Sequence, residues 1–237
     1  MLFESSSINV PNEYIKLSAK NAKDDVLHEQ SAQTTTFYSQ YGKRIFDITG
    51  ALLLLFITIP LMLPVFLILL ISTGRPFFFK QIRTGLAHQR FIILKLRTMT
   101  IQAVPVTTPT VCADGIPDDY YFKTEQDARI TKVGSVLRKL SIDEIPQLIN
   151  VLKGDMSIVG PRPEVPPITN AYNTVQARRL EVRPGLTGLA QINGRSNISH
   201  GQKISYDLEY VDNYSFWMDL RIIIKTFYVV LARTGAY

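Results

Sequence analysis

The run Ser141-Ile142-Asp143-Glu144-Ile145-Pro146 carries the most chemistry in this chain. Proline lacks an N–H and is comfortable only in the first turn of a helix, so Pro146 predicts a helix beginning at about Asp143. Two adjacent carboxylates would then sit at a positive helix end, among backbone N–H groups with no intrahelical partner. Such a position binds phosphate and keeps a carboxylate ionised. An ionised Asp can attack phosphorus, and the neighbouring acid can help hold a divalent cation that neutralises phosphate charge. The plainer alternative is that Asp143 caps the helix and Glu144 is solvated.

Two arginines weigh against the plainer alternative. Arg138 precedes the acid pair on the preceding predicted helix, and Arg162 lies between Pro161 and Pro163. Two prolines stiffen the backbone around one guanidinium, whose planar fork suits phosphate oxygens. Its alternative is a salt bridge to Glu164 or another acid. Lys95 and Arg97 add two cations that are harder than Lys43 and Arg44 to read as the ordinary positive flank of a membrane helix.

The elements that must position these residues follow from periodicity. Val133, Val136, Leu137 and Leu140 share one helix face, and Ile145, Leu148, Ile149 and Leu152 mark a second helix that Gly154 can end. Phe77–Arg83 and Arg90–Arg97 read as strands joined by a turn at Gly85–Gln89. Residues 101–122 read as a loop, and the proline-rich stretch 160–167 is not expected to be regular helix. Met218–Arg233 is apolar with interspersed charges, and fits either a helix on the membrane surface or one packed in the core.

Ala51 to Ile71 carries no charge and is close to the length of a membrane span. Pro60 and Pro64 interrupt it near its centre, and Thr58 can bond back to a carbonyl one turn earlier, which favours a bend. Lys43 and Arg44 precede it, and Arg75, Lys80 and Arg83 follow it. Both flanks obey the positive-inside rule only if the helix turns back. These residues alone leave a kinked single span and a re-entrant helix both open.

Composition agrees with one membrane element joined to a globular part: 46% of residues are hydrophobic and the net charge is +6. Lys43 to Arg97 holds eight basic residues against the single acid Asp47, which points to anionic headgroups or phosphorylated ligands. The sole cysteine, Cys112, excludes an internal disulfide and fits a reducing compartment. His28, His88 and His200 are too scattered for a zinc motif. Residues 1–40 are polar and read as a flexible tail or a weak helix, with no signal peptide.

Several segments together resemble one family. They are Lys43-Arg-Ile-Phe-Asp47, Lys95-Leu-Arg-Thr-Met99, Asp127-Ala-Arg-Ile-Thr-Lys-Val-Gly134, Leu137 to Leu148, Asn150 to Ser157, Val159-Gly-Pro-Arg-Pro163 and Arg183-Pro-Gly-Leu-Thr-Gly188. Occurring in one order from Lys43 to the C-terminus, they resemble the bacterial sugar transferases, the monotopic phosphoglycosyl transferases.

The resemblance implies transfer of a sugar-1-phosphate from a UDP-sugar to undecaprenyl phosphate with release of UMP. It implies Asp143 as nucleophile, an aspartyl-phosphosugar intermediate, Glu144 as second acid, and Mg2+ held at Asp143 and Glu144. Arg138 and Arg162 match its phosphate-binding arginines, and Lys95 and Arg97 fall in a family motif read here as contacting phosphate or nucleotide. The implied fold is α+β and mainly helical, embedded in the bacterial inner membrane on its cytoplasmic side. A polar tail (1–40), a re-entrant helix (41–74) and a catalytic domain with interfacial amphipathic helices (75–237) follow in order. The family's Ser-Pro break is Ile59-Pro60 here, with Thr58 placed to substitute for the serine. Nucleic acid is not an expected partner, and a homodimer is compatible. The competing reading is a non-enzymatic scaffold binding anionic lipid, in which the acid pair and the proline-locked Arg162 have no purpose.

Overall fold

The computed structural model describes residues 37–100, 115–121, 129–194 and 197–231. The tail up to residue 36, most of the 101–122 loop, Cys112, His28 and the end of the chain beyond Leu231 lie outside the described residues.

The apolar run becomes the helix α1, Lys43–Ser72, entered through a turn of π-helix at Tyr38–Gly42. Together they form a helix of 35 residues with mean hydropathy 2.9 in its most apolar stretch, long and apolar enough to cross a membrane. The sequence predicts a break at Pro60, yet helical geometry continues through both Pro60 and Pro64. Each proline removes one ladder bond, and two isolated losses leave the rest of the ladder intact. Thr58 Oγ1 donates to the Leu54 carbonyl at 2.7 Å. Leu53, Phe56, Ile59 and Leu63 in the middle of α1 are exposed. Nearer the ends, Ala51 joins an apolar cluster with Val151 and Ile158, and Leu69 joins one with Leu96 and Leu137. Both ends of α1 therefore pack on the same globular unit.

Polar anchors at the start of α1 correct the reading of Lys43 and Arg44 as an ordinary lipid-facing flank. Lys43 is paired with Asp219 at 2.9 Å and Asp47 at 3.3 Å. Asp47 accepts from the Ile158 N–H and the Ser157 hydroxyl. Arg44 donates to the Val151 and Leu152 carbonyls, at 2.6 and 2.8 Å. Its guanidinium thus serves the unpaired carbonyls of a short helix's last turn rather than a headgroup.

The two expected strands form an antiparallel pair, β1 (Phe78–Thr84) and β2 (Arg90–Leu96), with Phe78 opposite Leu96 and Thr84 opposite Arg90. Helix α2 is Lys132–Lys139, with Thr131 accepting from the Gly134 N–H as its N-cap. Helix α3 is Gln147–Lys153, ended by Gly154 at φ +93°, a conformation that favours glycine. The helix expected to begin at about Asp143 is instead a 3-10 turn at Ile142–Glu144 that leads into α3. Pro146 cannot donate to the Ile142 carbonyl, so the Ile145 N–H takes it at 3.2 Å and the turn tightens.

Two three-residue strands, β3 (Ser157–Val159) and β4 (Gly185–Thr187), pair in parallel. Helix α4, Pro166–Thr169, corrects the expectation that residues 160–167 hold no helix. Pro166 and Pro167 occupy its first positions, where no backbone N–H is needed. Short helices α5 (Thr174–Ala177) and α6 (Leu189–Ile192) lead to the longer α7 (His200–Asn213) and α8 (Phe216–Leu231). Of the two readings of the apolar C-terminal helix, core packing is seen for one face of α8. Asp219 and Ile222 are buried, whereas Trp217, Ile224, Phe227, Tyr228 and Leu231 are exposed. The described residues are thus mainly helical with two small sheets, the α+β class expected.

Candidate active site

Three segments converge on the acid pair. At the end of α2 the chain reverses through Ser141, a non-glycine residue at φ +56°, and enters the 3-10 turn carrying Asp143 and Glu144. Strand β2 supplies Lys95, and the loop after β3 supplies Arg162. Glu144 Oε1 accepts from Lys95 Nζ at 2.8 Å and from Arg162 Nη2 at 2.6 Å. The partner of Arg162 is therefore Glu144, the acid beside the candidate nucleophile, rather than Glu164. Arg138 lies near the pair and donates through Nε to Thr98 Oγ1 at 2.8 Å.

The two acids differ in kind. Glu144 is clamped: burial opposes its charge, but Arg162 and Lys95 outweigh burial and hold the carboxyl well below its ordinary range. Asp143 is 7% exposed, and among the described residues none forms a hydrogen bond or ion pair with its carboxyl group. Burial, followed by the charge of Glu144, pushes its pKa up to about 6, against the pull of Lys95, Arg138 and Arg162. Burial also lowers the pKa of Lys95, which the Glu144 charge partly offsets.

The loop carrying Arg162 is held by its backbone. Gly160 lies so close to Arg183 and Gly185 that a Cβ there would come within 2.4 Å of the Arg183 carbonyl oxygen. Arg179 donates to the Arg162 carbonyl at 2.9 Å, and Arg83 to the Pro163 carbonyl at 3.0 Å. Glu164 faces Lys203 at 3.3 Å and both Arg83 and Arg179 at 3.9 Å, and Arg179 is paired with Asp207 at 2.6 Å. Its own burial opposes ionisation, yet these three cations draw the Glu164 pKa down to about 2.

Asp143, Glu144, Lys95 and Arg162 thus come together, with Arg138 near them. Arg97 does not join them. It is buried, and its guanidinium binds the Thr73 and Arg75 carbonyls, tying the end of α1 to β2. Thr58 and Pro60 lie in α1. The motif reading passed over Arg83 and Gln147, which line a cleft of about 10 Å³ with Ile93, Lys95, Arg162 and Pro163. The spacing of Gln147 one turn after Asp143 was the available signal for it. No group of three or more His, Cys, Asp or Glu residues placed to hold a metal occurs among the described residues.

The sequence pattern of the family described as "Bacterial sugar transferase" matches residues 38–233. The chain belongs to that family and is a transferase. It is 45% identical over 193 residues to the "Uncharacterized sugar transferase EpsL" of Bacillus subtilis (strain 168), covering 81% of this chain and 89% of that protein. It is 39% identical over 203 residues to the "UDP-glucose:undecaprenyl-phosphate glucose-1-phosphate transferase" of Caulobacter vibrioides, covering 82% of this chain and 72% of that protein. It is also 39% identical over 202 residues to the "Undecaprenyl-phosphate galactose phosphotransferase" of Salmonella typhimurium, covering 84% of this chain but 42% of that longer protein.

Proposed function

We propose that this chain is a phosphoglycosyl transferase. It moves a sugar-1-phosphate from a UDP-sugar to undecaprenyl phosphate, releases UMP and initiates synthesis of a surface polysaccharide or glycoconjugate. The Caulobacter and Salmonella relatives carry names for this chemistry. The observation that carries the reading is the unequal acid pair: a clamped Glu144 beside a buried, unpartnered Asp143.

In this mechanism the Asp143 carboxylate attacks the sugar-bearing phosphorus of the donor. A P–O bond forms as the bond to UMP breaks, and UMP leaves with the electron pair. A phosphate oxygen of the lipid then attacks the same phosphorus and returns Asp143 as a free carboxylate. Covalent catalysis lets two anionic substrates use one site in turn. Arg162 and Arg138 offset phosphate charge, and Lys95 with Arg162 keeps Glu144 ionised. Asp143 and Glu144 would hold Mg2+, an ion that takes one or two carboxylates and completes its shell with substrate oxygens and water. Two acids without a third protein ligand suit that habit. Bound Mg2+ would supply charge neutralisation at the phosphates.

We assign the active site to the cytoplasmic face of the bacterial inner membrane, with α1 re-entrant. A straight helix would set Arg44 and Thr73 about 44 Å apart. A short protein route connects them: Arg44 to Val151, the neighbouring Asn150 to the Leu94 N–H at 3.1 Å, and β2 to Arg97, which binds the Thr73 carbonyl. Spanning that distance would require every link to be extended and collinear, which favours a bent α1 with both ends on one side. The exposed apolar face of α8, where Arg221 and Lys225 join Trp217, Leu220 and Ile224 along a groove, suits the interface.

The test is UMP release from a panel of UDP-sugars with Mg2+, with and without undecaprenyl phosphate. Turnover by one donor that requires both the lipid and Asp143 supports the reading. Normal turnover by Asp143→Asn would overturn the mechanism.

A further inference from the structure

Lys95 and Arg162, which bond Glu144, also line a small cleft. Among its lining residues, Arg83, Lys95, Gln147 and Arg162 bring N–H donors together. Gln147 is only 2% exposed, and its Nε2 has no hydrogen-bond partner among the described residues. Arg83 spends Nη1 on the Pro163 carbonyl and Nη2 on Gln81 Oε1, which leaves the buried Nε unpartnered. Lys95 has three N–H bonds and gives one to Glu144. Native proteins rarely leave buried donors unpaired, because each loses its water without a replacement. Two unpaired donors on one small cleft call for an acceptor.

Size and chemistry narrow that acceptor. A cleft of about 10 Å³ has room for about one oxygen atom. A water could accept from only two of these donors, whereas a phosphate oxygen can accept from three and carries charge that three cations favour. Lys95 and Arg162 line the cleft and also bond Glu144, the residue after Asp143. A phosphate with one oxygen in the cleft would share these two cations with the acid pair.

We propose that Gln147 and Arg83, together with Lys95 and Arg162, form a donor-lined cleft that takes one non-bridging phosphate oxygen of a substrate. The inference rests on the transferase reading. The oxygen comes from the donor diphosphate or from the lipid phosphate, and the experiment separates these sources.

Gln147→Glu keeps the size of the side chain and places a negative charge among three cations, so the fold is retained while an anion is repelled. Gln147→Met keeps most of the volume and removes the donor. Full-length chain in nanodiscs is titrated with UDP, and transfer is followed at limiting undecaprenyl phosphate. A donor oxygen in the cleft predicts UDP binding at least about tenfold weaker in Gln147→Glu, a smaller loss in Gln147→Met, and an unchanged or higher melting temperature for Gln147→Glu. A lipid oxygen predicts unchanged UDP binding and an apparent KM for undecaprenyl phosphate raised by a similar factor. UDP affinity and lipid KM both unchanged in Gln147→Glu would overturn the cleft and leave it a structural pocket. Absence of UMP release by the wild-type chain would overturn the transferase reading and the cleft with it, whereas wild-type turnover with indifferent variants overturns the cleft alone.

Discussion

Two clusters in this protein each combine one lysine with two acids, and they end in opposite states. In the first, at the foot of α1, Asp219 receives Tyr38 at 2.5 Å, Tyr210 at 2.8 Å and Lys43 at 2.9 Å. Asp47 receives the Ile158 N–H and Ser157. In the second, Lys95 and Arg162 both bond Glu144 Oε1, and among the described residues none bonds the Asp143 carboxyl group. A closed network fixes architecture, here the attachment of α1 to β3 and α8. An open one keeps a reactive group available, with its pKa displaced by its surroundings. A lysine beside two acids is common to both clusters; how far the acids' hydrogen bonds are completed sets them apart.

The sharpest way to break this comparison is to remove one charge from each cluster. Asp143→Asn should lower kcat by at least about 10³-fold. Its melting temperature should hold or rise, because burial and Glu144 both disfavour a charge at that position. Lys43→Met should do the reverse. Removing one partner from a buried pair costs about 3–5 kcal/mol, seen as a lower melting temperature with turnover per folded molecule retained. Arg162→Ala should cost about 10²-fold in kcat/KM, the scale of one lost preorganised donor at a developing charge, with partial recovery in Arg162→Lys.

The smallest expected effect is on pH dependence. Asp143 attacks as a carboxylate, so kcat/KM should fall as pH drops through about 6. Glu144→Gln removes one of the two causes of that raised pKa, so the acidic limb should move to lower pH, alongside any loss of turnover. The stability term has the opposite sign. A carboxyl whose pKa is raised on folding favours the fold while protonated, and this contribution is lost as pH rises through about 6. Asp143→Asn should therefore flatten the melting temperature between pH 4 and pH 6, a window set by the ordinary and raised values of this group.

The acid pair, Lys95 and Arg162 could be picked out from the sequence because unusual local chemistry marked them: paired carboxylates before a proline, a guanidinium between two prolines, a cation in an alternating strand. β1, β2, α2 and α3 followed from periodicity. β3 and β4 did not, because three residues are too few to show an alternation. α7 could have been found from its start, where Ser199 and Gln202 form a capping box. Arg97 misled because a cation in a basic motif looks the same whether it meets phosphate or, as here, two backbone carbonyls. Gln147 escaped notice because an uncharged amide draws no attention by type, and only its spacing one turn after Asp143 pointed to it.

Covalent attack by Asp143 is tested most directly by intact-protein and peptide mass spectrometry of the chain incubated with its UDP-sugar and Mg2+ in the absence of lipid acceptor. The account predicts added mass equal to one sugar phosphate on the peptide containing Asp143. The adduct should disappear when undecaprenyl phosphate is added and be absent from Asp143→Asn. Donor turnover in the presence of lipid with no such adduct, or with the adduct on another residue, would contradict it.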